Sequence, residues 1–284
     1  MSYLAAIRPI FRKSLENKTI AVCAGLLVLI AVLALIGPWL SPQHYASTDF
    51  EHRFLAPSLT DWHLFGTDDL GRDLFVRTLL GVKVTLFVAI IASVVSLGIG
   101  VAYGAIAGYV GGNVDAIMMR AVDALYAIPF IFFVILLMVV FERNFFLIFV
   151  AIGAINWLDM ARIVRGQTLS LKHREFVDAA RLIGIPARSI IFRHITPNLF
   201  GVVVVYMTLA IPQAILVESF LSFLGLGVQE PQTSLGALVN GGVSSMERAP
   251  WLLLIPASVL ALILLSFNFL GDGLRDAVDP KKKA

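Results

Sequence analysis

Three carboxylates sit close together in FGTDDLGRDLFVRTLLG: Asp68, Asp69 and Asp73, with Arg72 and Arg77 beside them. Carboxylates at this spacing could divide general-acid and general-base work between them. That chemistry also needs a nucleophile, a base or a metal, and no such partner set accompanies the segment. His44, His52 and His63 fall in the same extramembrane stretch, whereas His173 and His194 lie far along the chain. Cys23 is the only cysteine and falls in an apolar run, which excludes a disulfide framework or a cysteine metal site. There is no GxxxxGK[ST] phosphate loop, so the chain is expected to bind no ATP and no other cofactor of its own. Local ion pairing, with turns at Gly66, Gly71 and Gly81, is the simpler reading of the acidic cluster. Contact with an external partner is a second reading of the same loop.

A fourth acid, Glu218, lies in LVESFLSFLGLG near the end of a long apolar run. A charge inside a membrane span is by default a functional residue, so Glu218 is a candidate pathway or gate group. Capping of the following turn is the plainer alternative. Pro129, Pro212 and Pro256 interrupt three apolar runs and remove a backbone donor from each. They join Glu218 as candidates for a pathway that rearranges. Gly100, Gly104 and Gly108 fall four residues apart, so one helix face carries all three and lets another backbone approach closely.

The elements that must position these groups are membrane spans. The chain has 284 residues, 58% hydrophobic and 14% charged, against roughly 45–50% and 25% in soluble domains. Six runs can cross a bilayer: 20–40, 84–109, 121–141, 145–162, 199–221 and 251–270. Each is read as a helix, because lipid satisfies no exposed backbone group. The first run ends in GPWLSP, with no small-residue cleavage site, and is read as an uncleaved span. With the N-terminus inside, sixteen of the 22 Lys and Arg residues face the cytoplasm and six face outward. Both termini are then cytoplasmic. Residues 3–16 are either an amphipathic elbow in the interface or a basic tail. The outer stretch 222–250 is too apolar for a free loop and is expected to dip back against the protein.

One stretch breaks the pattern. EFVDAARLIGIPARSIIFRHITPN, residues 175–198, is a polar insert between two spans on the cytoplasmic side. Phe176, Ala179, Ala180 and Ile183 recur at helical spacing. Gly184 breaks that helix, Pro186 can start a second, and Pro197 opens the next span. The expected product is a helical hairpin at the membrane surface that can slot into a groove on another protein.

DAARLIG followed by ITPN resembles the EAA loop of bacterial ABC importer permeases, with Asp178 where that family usually has Glu. FGTDDLGRDLFVR, GAIAGYVGG, MARIVRGQTLSLKHREFVDAA, ESFLSFLGLGVQEP and FNFLGDGLRDAVDP are similar to the C-type permeases of oligopeptide and dipeptide importers. The resemblance implies an all-α integral membrane protein with six transmembrane helices and the type I ABC importer permease fold. It implies a cytoplasmic elbow at 1–19, a first span and large periplasmic loop at 20–83, a permease core at 84–271 and a cytoplasmic tail at 272–284. The coupling loop falls at about 163–198, with Glu175, Asp178, Ala179, Ala180, Gly184, Pro186, Ile195 and Pro197 as its residues. The implied partners are a homologous B-type permease, two cytoplasmic ATPase subunits that carry ATP and Mg, an extracytoplasmic peptide-binding protein and the lipid bilayer, with no nucleic acid. The implied location is the bacterial inner membrane. A dipeptide, glutathione or nickel permease of the same family is the alternative. A gradient-driven secondary transporter would call for buried ionisable ladders or inverted repeats.

Overall fold

In the computed structural model, which describes residues 17–60, 62–140 and 145–278, the chain is built from helices, with its longest connection between residues 40 and 74. Among the described residues the only strand-like pairings are the isolated bridges Ser58–His63 and Thr67–Asp73. The stretch 3–16 and the tail beyond residue 278 lie outside the described residues.

Helix α1 spans Lys18–Leu40 and starts where the Asn17 side chain accepts the Thr19 amide. Helix α2 spans Leu74–Val110, capped by the Asp73 side chain on the Val76 amide and closed by Gly111 at φ +71°. It begins well before residue 84, the start expected from hydropathy, because Asp73 satisfies its first amides. Gly81 therefore lies inside a helix and not in a turn. A Cβ there would sit 3.1 Å from the Leu235 amide nitrogen, so the glycine seats another backbone.

Helix α3, Gly112–Tyr126, and helix α4, Phe130–Val140, replace the single run expected at 121–141. They meet at an 84° bend. The break lies at 127–129, where Pro129 has no amide to continue the ladder and its carbonyl starts the next turn through Phe132 and Phe133.

Helix α5 runs Phe145–Leu171, and helix α6, Glu175–Leu182, follows after a short turn. Ala187–Asn198 is helical throughout, with Ile190–Ile195 wound as a π-helix, and leads through Leu199 into α7, Phe200–Phe223. Helix α8, Leu235–Ser244, packs the stretch 222–250 back against the protein, and α9, Trp251–Val278, ends the described chain. By length and composition α1, α2, α7 and α9 can cross a membrane, and the bent pair α3–α4 would be a fifth crossing.

Helices α2 and α5 form the main seam. A Cβ on Gly100 would fall 2.6 Å from the Met160 Cβ, and one on Gly108 would fall 2.8 Å from the Arg165 carbonyl oxygen. One on Gly104 would collide with the Ala161 carbonyl. Lipid supplies no hydrophobic drive between helices, so this backbone approach is what gives the seam its dispersion contacts. Val88, Ala92, Ile215, Leu221 and Ile263 fill the centre where α2, α7 and α9 meet.

Candidate functional site

The hairpin 175–198 is held along one edge. Val177 and Ala180 of α6 are buried with Ile190, Ile191, Ile195 and Leu199 against Val101, Met160 and Val164. The π-helical winding, marked by the Thr196 amide bonding the Ile191 carbonyl, widens the turn that carries these inward isoleucines. Sequence periodicity placed Phe176, Ala179, Ala180 and Ile183 on one apolar face. The structure buries only Ala180 of these and turns Phe176, Ala179 and Ile183 outward. The buried partner is Val177, because the helix rests on the chain through a narrow edge. Leu182 at 88% and Ile183 at 76% exposure crown the tip.

The tip closes as a Schellman turn: Ile185 donates to Ala180 and Gly184 donates to Arg181. Gly184 stands at φ +79°, which only glycine adopts without strain. Glu175 and Asp178 are exposed in the first turn of α6, and Arg181 reaches Asp178 at 3.2 Å. The Tyr109 hydroxyl, with Asp178 adding to it, holds the Arg181 guanidinium above its ordinary range despite partial burial. The guanidinium also lies 5.1 Å from the centre of the Tyr109 ring, which ties α6 to the end of α2. Pro186 precedes the Ala187 turn and Ile195 is fully buried, while Pro197, expected to open the next span, lies inside the helical run that begins at Ala187. At the root of the hairpin Arg165 grips Asp115 with two bonds of 2.7 and 2.6 Å, and the Lys172 ammonium reaches the Gly108 carbonyl.

Glu218 is wholly enclosed. Its carboxylate accepts the Thr85 hydroxyl at 3.1 Å and the Ser222 hydroxyl at 2.7 Å. Ser222 also pairs with Ser234, whose side chain caps α8, while Thr85 accepts the Leu235 amide. The acid thus joins α2, α7 and the start of α8. Pro212 and Pro256 are buried within unbroken helices, whereas Pro129 is exposed at the α3–α4 break.

Of the carboxylates near the start of α2, Asp68 and Asp73 are committed to structure, whereas Asp69 is exposed, with Arg72 at 3.9 Å. Asp73 caps α2 and meets His63 at 2.9 Å. Asp68 folds its own turn and binds Arg72 at 2.7 Å, and Arg72 continues to Glu230 at 2.8 Å. Burial alone would depress the Arg72 guanidinium, but Asp68 and Glu230 overcome it and raise it above its ordinary value. Gly66 and Gly71, at φ +80° and +74°, make the turns expected of them. A cleft of about 410 Å³ opens between this cluster and α8. Among the described residues no group of three His, Cys, Asp or Glu could hold a metal ion.

Sequence reading missed the exposed Leu182–Ile183 tip, since apolar residues on both sides of a short helix do not reveal which side is covered. It also missed a polar strip shared by α3, α5 and α7. There Arg162 binds Asp123 at 2.7 Å and the Tyr126 hydroxyl donates to Asp159 at 2.9 Å.

Residues 100–284 match the family described as binding-protein-dependent transport system inner membrane component. Residues 7–57 match the N-terminal transmembrane domain of oligopeptide transport permease C. The chain is 53% identical to the oligopeptide transport system permease protein OppC of Haemophilus influenzae, over 96% of this chain and 88% of that one. It is 52% identical to the protein of the same name from Escherichia coli K12, over 96% and 90%. It is 44% identical to the dipeptide transport system permease protein DppC of Bacillus subtilis, over 95% and 84%. The chain belongs to the binding-protein-dependent transport permeases, in the branch of the oligopeptide permease C subunits.

Proposed function

We propose that this chain is one half of the membrane passage of an ATP-driven importer of oligopeptides in a bacterial inner membrane. The observation that carries the cargo class is the 52–53% identity to oligopeptide permeases along nearly the whole chain. In this reading α5 completes six crossings, with α3–α4 as one bent span, and both termini are cytoplasmic. A homologous permease forms the other half, and an external peptide-binding protein delivers cargo to the outer face.

The hairpin Glu175–Pro197 is the coupling element for one of two ATPase subunits, which supply ATP and Mg. Its support is the exposed apolar crown of Phe176, Leu182 and Ile183 on a buried footing, the form an apolar helix face takes when it inserts into a groove. Asp178 and Ala179 flank that crown, and Gly184 makes the turn that presents it. ATP-driven movement of the hairpin would switch the passage between its two faces. Pro129, Pro212 and Pro256 would mark where spans yield, and Glu218 would hold the outer half together as they do.

The test is a partner census in mild detergent, wild type beside Gly184→Asp. Open space surrounds Gly184, so the substitution acts through backbone strain and a new charge, not through a clash. A second permease and ATPases should copurify with the wild type, and the variant should lose the ATPases while remaining inserted. Undiminished ATPase capture and transport by the variant would remove the coupling role.

A further inference from the structure

Helices α3, α5 and α7 expose polar groups on one face at a depth where lipid cannot receive them. Met160 lies against Gly100 of α2, ten residues short of the inner end of that helix at Val110. At 1.5 Å per residue Met160 is therefore about 15 Å inside that end. With the apolar run 84–109 of α2 taken as the bilayer core, Asp159 and Arg162, which flank Met160 opposite Gly100, fall in its inner half. Gln213 stands in the middle third of α7.

The exposure of these groups is not marginal. Side-chain exposure is 41% at Arg162 and 67% at Asp123, and Asp159 and Gln213 are exposed. Ionised groups in a span face protein or a water-filled cavity, never acyl chains. Three features favour water and a passing solute. The strip is concave: a cleft of about 290 Å³ runs between α5 and α7, walled by Asn156, Asp159, Arg162, Tyr206 and Gln213 over Met160 and Leu209. Both charge signs occur, together with two carboxamides. The Asn156 amide nitrogen is buried without a hydrogen-bond partner.

Resting on the importer reading, we propose that this strip is a peptide-contact surface inside the passage. The exposed Gln213 pairs with main-chain amides, while Asp159 and Arg162 meet the charged ends. Carboxamides both donate and accept, as a peptide bond does, so the contact is indifferent to cargo sequence. Asp159 and Arg162 already hold Tyr126 and Asp123, so a peptide must compete for them. The resulting contact is weak enough to release, which a transit site requires.

The test uses the complete importer in liposomes, with Cys23→Ser and Gln213→Cys in this chain, and a charged membrane-impermeant methanethiosulfonate. Labelling is read by mass, with and without cargo peptide on the binding protein. Leu265→Cys, on the exposed apolar face of α9, is the lipid-facing control. Position 213 should label, cargo should slow the labelling, and the control should stay unmodified. Asp159→Asn should lower peptide delivered per ATP hydrolysed by about tenfold, the worth of one charge-assisted contact. A transporting complex that resists the reagent at 213 would mean the second permease seals this face, and the proposal falls. Labelling that cargo does not slow, with unchanged delivery by Asp159→Asn, would also overturn it. In either case the importer reading stands. Failure of the unsubstituted complex to import peptide with ATP would remove the importer reading itself.

Discussion

Gly104→Ala is the most economical probe of what holds this membrane fold together. The new Cβ would collide with the Ala161 carbonyl and stand 2.9 Å from both the Arg165 amide nitrogen and the Val164 Cβ. Two of these three neighbours are backbone, which cannot rotate away, so α2 and α5 must separate. Overpacking of this kind costs about 1–3 kcal/mol, and the backbone obstruction argues for the upper half. The intrinsic preference of a helix for Ala over Gly returns about 1 kcal/mol. The net loss is about 1–2 kcal/mol, or roughly 2–8 °C in Tm for a chain of this size. Gly98 lies on the same helix with nothing within 4 Å of its added Cβ, so Gly98→Ala should leave Tm level or raise it slightly. The assay is thermal unfolding of the detergent-solubilised chain, followed by tryptophan fluorescence. Equal shifts for the two variants, or a rise for Gly104→Ala, would refute the argument that close backbone approach holds the seam.

Four further substitutions, at Glu218, Arg72 and Glu230, test the end of the molecule around α8. Glu218→Ala strips the acceptor from two buried hydroxyls and should cost about 2–4 kcal/mol, whereas Glu218→Gln keeps an acceptor oxygen and should cost less than half as much in the same unfolding assay. Arg72→Met takes the 2.7 Å partner from the buried Asp68 and leaves it Arg77 at 3.6 Å, so it should destabilise by about 1.5–3 kcal/mol. Glu230→Gln, at a side chain 64% exposed, should cost about 1 kcal/mol or less and lose its effect in high salt. A reversed order, read from Tm at two salt concentrations, would show that the outer cluster is held from Glu230.

Long apolar runs were legible because lipid leaves the backbone one solution, and α1, α7 and α9 fall close to their hydropathic limits. Polar ends were not legible. The ten residues from Leu74 to Lys83 include Arg77, Thr78 and Lys83, so hydropathy placed them in the loop, while the Asp73 cap and the seat beneath α8 make them helix. The third run failed at Pro129, because a proline signal does not say whether a helix bends or breaks. At the hairpin, the Gly184 turn and the polar first turn of α6 were readable from residue type. Which apolar edge of α6 is buried was not, since Val177 and Ile183 look alike until α7 and the π-helical turn supply a neighbour. The Asp123–Arg162 pair joins residues 39 apart, which no local pattern can reveal.

The helical run from Ala187 passes through Leu199 into α7 without a break: Leu199 bonds back to both Ile195 and Thr196, and Val203 bonds back to Leu199. The second arm of the hairpin and the span are therefore one lever, roughly 50 Å long. Its fulcrum is where Ile195, Leu199 and Val203 bear on Val101 and Met160. The arm toward Ala187 is the shorter one, and Gln213 rides on the longer. A displacement delivered at the short arm is magnified along the long one in the ratio of their lengths. As far as Pro212, where the span can yield, a shift of a few ångströms at the Ala187 end would become a larger sweep along α7.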